Sequence, residues 1–169
     1  MGQLRRHAHR EALSTTPEVP EPLAAVLAEF ESVDRGLRTE MLLEYADRFE
    51  EVPPSVAARP FPETSRAPRC ESEAYVFATD QADGTMKLWF AVENPQGISA
   101  KAWAAIMDET LSGQPLDAVA RVPQDVIFRI FGRDVSMGKG QGMVGMLECV
   151  QHEARQRLDQ RRREREGLG

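Results

Sequence analysis

One of the two cysteines, Cys70, stands where a loop meets a strand, and it is the side chain best suited to chemistry. The proline-containing segment 66–69 precedes it, and the β-type run 74–79 follows it. A thiol at the mouth of a strand can be presented by its loop to a partner. The alternative is a buried structural cysteine, the usual fate of a free thiol.

Charged neighbours bear on the reactivity of this thiol, because the thiolate is the nucleophile and a free cysteine has a pKa of about 8.5. Arg66 and Arg69 favour the thiolate. Glu71 and Glu73 oppose it, so the sequence leaves the direction of any shift open.

Other catalytic and metal-binding patterns find little support. His7 and His9 lie near the N-terminus, His152 lies in the last predicted helix, and no C-x-x-C or helically spaced histidine pair is present. No metal site and no Cys–His nucleophile pair is therefore expected, and Cys70 lacks a general base of its own. Cys149 lies beside an apolar helical stripe, either as a packing residue or as a second functional thiol.

A glycine cluster at 140–145 matches G-x-G-x-x-G, but no strand precedes it and no βαβ unit surrounds it, so a dinucleotide site is not expected. Glycines at a helix start permit close backbone approach, and the free N–H groups there attract anions. Lys139 either lies near the Cys70 loop and stabilises a thiolate or persulfide, or faces solvent.

Three stretches together resemble the SufE family of sulfur-acceptor proteins, over about residues 23–154. Residues 70–75 (Cys-Glu-Ser-Glu-Ala-Tyr) are similar to the family's Cys-Gln-Ser-Gln-Val-Trp. Residues 111–119 resemble its Tyr-x-Gly-x-Thr-Pro-x-Glu-Ile stretch, and 136–146 its Ser-x-x-Arg-x-Asn-Gly stretch. Three departures stand out: Pro68-Arg69 replaces His-Gly, Glu71 replaces Gln, and Lys139 replaces Arg.

The resemblance implies that Cys70 accepts persulfide sulfur from a cysteine desulfurase (SufS-like) and passes it to an iron–sulfur scaffold complex (SufBCD-like). It implies an accessory sulfur carrier with a transient persulfide and no cofactor of its own; pyridoxal phosphate belongs to the desulfurase. The residues expected to contact substrate or partner are those near the thiol and at the last helix: Arg66, Arg69, Glu71, Ser72, Lys139 and Gly142. The alternatives are a regulatory or redox protein that binds a desulfurase without relaying sulfur, and a scaffold-like binder.

Composition and charge indicate one globular domain without a membrane segment, expected in the cytoplasm. The 169 residues carry a net charge of −6, and residues 11–154 alone hold 12 basic and 24 acidic residues. An acidic body argues against nucleic-acid binding there. Residues 155–169 hold six arginines, which either pair along a solvated helix end or contact nucleic acid.

The remaining patterns predict an α+β fold with helices on one face of a small antiparallel sheet, as the SufE resemblance and its IscU-like relatives also imply. We expect a disordered arm at 1–19, the SufE-like domain at 20–154 and a charged helix end or tail at 155–169. Gly36 is expected to separate the first two helices, and Ser99 to cap the third. The expected elements are helices near 23–30, 37–49, 100–112, 115–120, 123–131 and 141–163, strands near 73–79 and 85–92, and a proline-rich loop at 52–69.

Overall fold

The computed structural model describes residues 19–167, which form six α-helices and one two-stranded antiparallel sheet. The predicted α+β class is confirmed. The elements in chain order are α1 (Glu21–Glu31), α2 (Arg35–Asp47), β1 (Ala74–Asp80), β2 (Met86–Val92), α3 (Ile98–Leu111), α4 (Leu116–Ala120), α5 (Val126–Phe131) and α6 (Met137–Arg165). Within 19–167, no helix combines the length and the hydropathy that crossing a membrane requires.

The break between the first two helices differs from the prediction. Gly36 lies inside α2, and the chain turns at Ser32–Asp34 instead. Asp34 caps α2, since its carboxylate accepts a 2.9 Å hydrogen bond from the Leu37 amide. The predicted arm falls mostly outside the described residues, but its last residue, Val19, is buried in the core.

The sheet pairs Ala74 with Val92 at one end and Asp80 with Met86 at the other. Successive residues of a strand point to opposite faces, so this register sorts the side chains into two sets. Val76 and Phe90 lie opposite each other and belong to the main core with the helices. The expected packing of helices on one face of the sheet therefore holds.

The proline-rich loop covers the other face of the sheet. Tyr75 and Ala91 form a separate small cluster there with Val52. Phe61 from the loop packs against the rings of Tyr75 and Phe77, at centroid distances of 5.2 and 5.4 Å. Apolar side chains of this loop thus bury a sheet face that would otherwise be exposed to water.

Helix α3 is largely buried and packs against α1, α2, β2 and α6. Trp103 is fully buried, and its indole N–H donates a 3.1 Å hydrogen bond to the Met143 carbonyl of α6. This bond satisfies the polar tip of the ring and fixes α3 against α6. The helix starts at Ile98 after Gly97, so Ser99 is not its cap as predicted.

Helix α6 begins four residues earlier than predicted, at Met137 rather than near Gln141. Ser136 is its N-cap, accepting a 3.3 Å hydrogen bond from the Lys139 amide. The helix continues to Arg165, so the charged stretch 155–165 is its C-terminal part. The early start places Gly138, Lys139 and Gly140 inside the helix, where the prediction had a loop.

Candidate functional site

Cys70 lies in a short loop that is closed at its base by backbone pairing. The Ala67 amide donates a 2.8 Å hydrogen bond to the Ala74 carbonyl, and an isolated β-bridge joins Arg66 to Tyr75. Only 9% of the Cys70 surface is exposed. The thiol therefore belongs to a loop with a fixed base, and it is tucked inward in this conformation.

Two residues of the loop hold a left-handed backbone conformation without being glycine. Arg69 has φ 60° and Glu73 has φ 51°, on either side of Cys70. A turn between them is closed by a 3.2 Å hydrogen bond from the Glu73 amide to the Cys70 carbonyl. Such backbone geometry costs energy in non-glycine residues and is concentrated at functional sites.

Glycines of α6 form the groove in which the loop lies. A Cβ atom on Gly142 would come within 3.1 Å of the Cys70 Cα, and one on Gly145 within 2.1 Å of the Pro68 carbonyl oxygen. One turn earlier, a Cβ on Gly138 would have the Glu71 carboxylate at 3.9 Å. The close approach of helix and loop therefore requires glycine at 145, leaves a side chain at 142 little room, and does not restrict 138.

The two arginines beside the thiol both have carboxylate partners. Arg69 pairs with Glu148 of α6 at 3.0 Å, and Arg66 approaches Glu63 at 3.8 Å. Their positive charge is largely offset, and the Arg69–Glu148 pair ties the loop to the helix. An open cavity of about 590 Å³ lies here, lined by Glu63, Arg66, Ala67, Pro68, Arg69, Cys70 and Glu71.

Of the remaining predicted site residues, Ser72 lies in the Cys70 loop and Lys139 lies in a separate cleft. Ser72 anchors the far side of the loop, since its carbonyl accepts a 3.1 Å hydrogen bond from the Asn94 amide. Lys139 lines a different cleft, which it shares with Arg35 and Arg38. The structure thus brings Arg66, Arg69, Glu71 and Gly142 to the Cys70 loop and directs Lys139 elsewhere.

Cys149 lies two turns after Gly142 on α6 and contacts the base of the same loop. Its half-buried thiol donates a long hydrogen bond to the Arg66 carbonyl, with Sγ and O 3.8 Å apart. Burial raises the pKa of this thiol, and Glu148, Glu153 and Cys70 raise it further. The protonated form of Cys149 is thereby favoured.

Sequence reasoning missed Gly145 and Glu148 as partners of the loop. Their signal was a helical spacing that links 142, 145 and 148 on one face of α6, and the predicted helix start at 141 left only Gly138 outside this pattern. Among residues 19–167, no three His, Cys, Asp or Glu side chains are grouped to hold a metal ion.

A family model described as SufE, an Fe-S metabolism associated domain, matches residues 24–154. This chain belongs to the SufE family. The matched segment contains the Cys70 loop, its glycine groove and most of the core, and it agrees with the expected extent of 23–154. Membership associates the protein with iron–sulfur metabolism.

A solved structure has a similar fold. The solution structure of a hypothetical protein from Thermus thermophilus is similar to this chain, with 29% sequence identity and a TM-score of 0.66. The similarity covers 83% of this chain and 98% of that one. A search of curated proteins gives no match.

Proposed function

We propose that this SufE-family protein accepts a sulfur atom on Cys70 from the persulfide of a cysteine desulfurase and passes it to an iron–sulfur scaffold. The observation that carries the proposal is the placement of Cys70 in a loop with a bonded base and strained backbone. Such a loop can move as a unit and present a thiol. Family membership supplies the iron–sulfur context.

The transfer step is thiol–disulfide exchange. The Cys70 thiolate attacks the outer sulfur of the donor persulfide and forms a new S–S bond. The S–S bond of the donor breaks, and its cysteine leaves as a thiolate. No external oxidant or reductant is consumed, because the sulfane sulfur only changes carrier.

The surroundings of Cys70 suit an acceptor better than an independent catalyst. The described residues that line its cavity include no histidine, so an adjacent imidazole base is missing there. An acceptor does not need one, because the desulfurase with its pyridoxal phosphate generates the reactive persulfide. The second exchange, to a scaffold thiol, follows the same chemistry with Cys70 as the leaving group.

Burial of the thiol gives the reaction a conformational step. With 9% of its surface exposed, Cys70 must move outward before a protein-bound persulfide can reach it. Relief of the left-handed geometry at Arg69 and Glu73, of order 1–3 kcal/mol for each residue, offsets part of the free energy needed to lift the loop from α6. The inward position also keeps the persulfide away from solvent between transfers.

The test is mass spectrometry of the protein after incubation with a cysteine desulfurase and cysteine. We expect a gain of one sulfur atom on the Cys70 peptide and its transfer to a scaffold protein in a second step. Cys70→Ser should fold normally, because the swap is nearly isosteric, and should neither gain sulfur nor stimulate desulfurase turnover. Stimulation without sulfur gain in the wild type would instead indicate a regulatory binder.

A further inference from the structure

Cations gather at the N-terminal end of α6, next to the helix face that packs on the Cys70 loop. Two neighbouring clefts of about 400 and 590 Å³ share the side chain of Arg38. We call their combined lining the Arg38 surface. It holds five of the 12 basic residues of the acidic body: Arg35, Arg38, Arg129, Arg133 and Lys139.

Carboxylates of the Arg38 surface offset only part of this charge. Three acidic residues lie in the two clefts, Glu31, Asp125 and Asp134. Asp134 pairs with Arg35, and Glu31 with Arg129. Within residues 19–167, neither Arg133 nor Lys139 makes an ion pair, so the surface is net positive on a protein of net charge −6.

Arg38 itself has unused hydrogen-bonding capacity. Its Nε atom is buried without an acceptor, and its Nη2 atom makes only a 3.5 Å contact to the Phe30 carbonyl. A Cβ on Gly132 would lie 2.7 Å from the Nη1 atom, so glycine there gives the guanidinium its space. A buried donor without a partner is costly, and a bound anion that drew the Arg38 guanidinium toward it would reduce that cost.

Exposed apolar side chains accompany the cations. Phe128 is 40% exposed beside Gly140, and Met137 is 79% exposed at the start of α6. Charges spread over two clefts with apolar contacts beside them fit a peptide segment better than one small anion. Aromatic, methionine and arginine side chains are also the types enriched at protein interfaces.

The first turns of α6 join this surface to the thiol site. Gly138 and Gly142 face the Cys70 loop, whereas Ser136 and Lys139 line the cleft next to Arg38. A protein that covers this helix end to reach Cys70 is therefore placed against the Arg38 surface as well.

We propose that the Arg38 surface docks an acidic segment of the sulfur-donor protein. The inference rests on the proposed function, because it takes the donor to be the protein that reaches Cys70. Complementary charge would speed the encounter and orient the donor persulfide toward the loop. The interaction should weaken with salt, since the Debye length falls to about 8 Å at physiological ionic strength.

The experiment compares two double charge reversals of equal size in the full chain. Arg35→Glu/Arg133→Glu changes the Arg38 surface, and both side chains are exposed. Arg163→Glu/Arg165→Glu is the matched control on the exposed end of α6, about 36 Å along the helix from Lys139. Each protein is titrated with desulfurase holoenzyme at low and physiological salt, and loading of Cys70 is followed by mass spectrometry with the desulfurase and, separately, with inorganic polysulfide.

We expect the Arg38-surface reversal to weaken donor binding on the order of tenfold at low salt and to flatten its salt dependence. The control should bind like the wild type, and polysulfide, which needs no docking, should load all three proteins. Unchanged donor binding in the Arg38-surface variant, or an equal loss in the control, overturns the proposal. Saturable binding of inorganic phosphate together with unchanged donor binding would assign the clefts to a small anion and also overturn it.

The wild-type result separates this inference from the proposed function. Loading of the wild type by the desulfurase supports sulfur acceptance whatever the variants do. Loading by polysulfide alone, with no desulfurase binding, overturns the proposed function and the docking proposal with it.

Discussion

At the scale of single residues, the two thiols have contrasting surroundings although they lie near each other, Cys70 in the loop and Cys149 on the helix that packs against it. Cys70 follows two arginines, Arg66 and Arg69, that are themselves paired with carboxylates. Cys149 is half-buried next to Glu148 and Glu153, and its pKa is raised. The structure therefore favours a packing role for Cys149, which the sequence left open beside a role as second thiol.

We predict that Cys149 is unreactive near neutral pH. In a Cys70→Ser background, the rate of its alkylation should rise with a midpoint above the value of about 8.5 for a free thiol, because burial and nearby carboxylates disfavour the thiolate. Iodoacetamide labelling across a pH series measures this. A midpoint at or below 8.5, or loss of sulfur acceptance in a well-folded Cys149→Ala protein, would make Cys149 a functional thiol.

At the scale of elements, the thiol loop and the first turns of α6 form one closely packed unit while the loop is closed. The loop backbone lies so close to α6 that side chains at the points of contact would collide with it or crowd it. The helix has glycines at these points. Glycine in a helix interior costs up to about 1 kcal/mol relative to alanine. The packing of the loop compensates for that cost at 142 and 145. Gly138 is a comparison position, because it lies on the same helix without such close packing.

Alanine at the glycines should separate packing from helix propensity. Gly145→Ala should lower the free energy of unfolding by about 1–3 kcal/mol, because its Cβ would overlap the Pro68 carbonyl and force the loop to shift. Gly138→Ala should be neutral or stabilising by up to about 1 kcal/mol, since its Cβ meets nothing closer than 3.9 Å. Urea unfolding of both variants provides the values; equal effects would argue against the groove.

The Arg69–Glu148 pair should limit how often the loop opens. An exposed ion pair contributes roughly 0.2–1 kcal/mol, so Glu148→Gln should increase Cys70 alkylation at fixed pH by roughly 1.5- to 5-fold. Glu164→Gln, on the exposed end of the same helix, is the control for the loss of one negative charge. If both variants react like the wild type, the pair does not hold the loop closed.

Much of this unit follows from sequence, and the part that does not has a physical cause. Runs of β-type residues joined by a glycine-containing turn predicted the two strands, and Cys70 was correctly expected in the loop before the first of them. The start of α6 was misplaced because Gly138 and Gly140 have low helix propensity, and contacts distant in sequence override that propensity. The actual helix starts also fix the caps, since Ser136 directly precedes α6 whereas Ser99 lies inside α3.

At the scale of the whole molecule, the far half of α6 is bound to the hairpin rather than freely solvated. Arg157 donates to Asp80 at 2.6 Å and to Glu153 at 2.7 Å, and it also reaches the Ala78 carbonyl. Arg161 donates to the Gly84 carbonyl in the hairpin turn. The arginine-rich stretch thus contributes to the fold, which its composition alone did not indicate.

Removal of one of these arginines should therefore destabilise the protein. Arg157→Ala should lower the free energy of unfolding by about 1–2 kcal/mol, because its side chain is only 17% exposed and donates hydrogen bonds to three residues. Arg162→Ala, whose exposed side chain lies 3.6 Å from Asp159, should change it by no more than about 0.5 kcal/mol. Thermal or urea unfolding distinguishes the two; a negligible effect of Arg157→Ala would contradict the role given to this contact.

The backbone hydrogen bonds at the two ends of the proline-rich loop also affect whether molecules aggregate in concentrated solution. The outer edge of a strand invites strands of other molecules to add to it and so starts aggregation. Here the Val52 amide bonds to the Phe90 carbonyl on one edge, and the Ala67 amide to the Ala74 carbonyl on the other, at 2.8 Å each. Both bonds lie outside the segment 68–73 that carries the thiol, so the protein can uncover Cys70 without uncovering these edges to another chain.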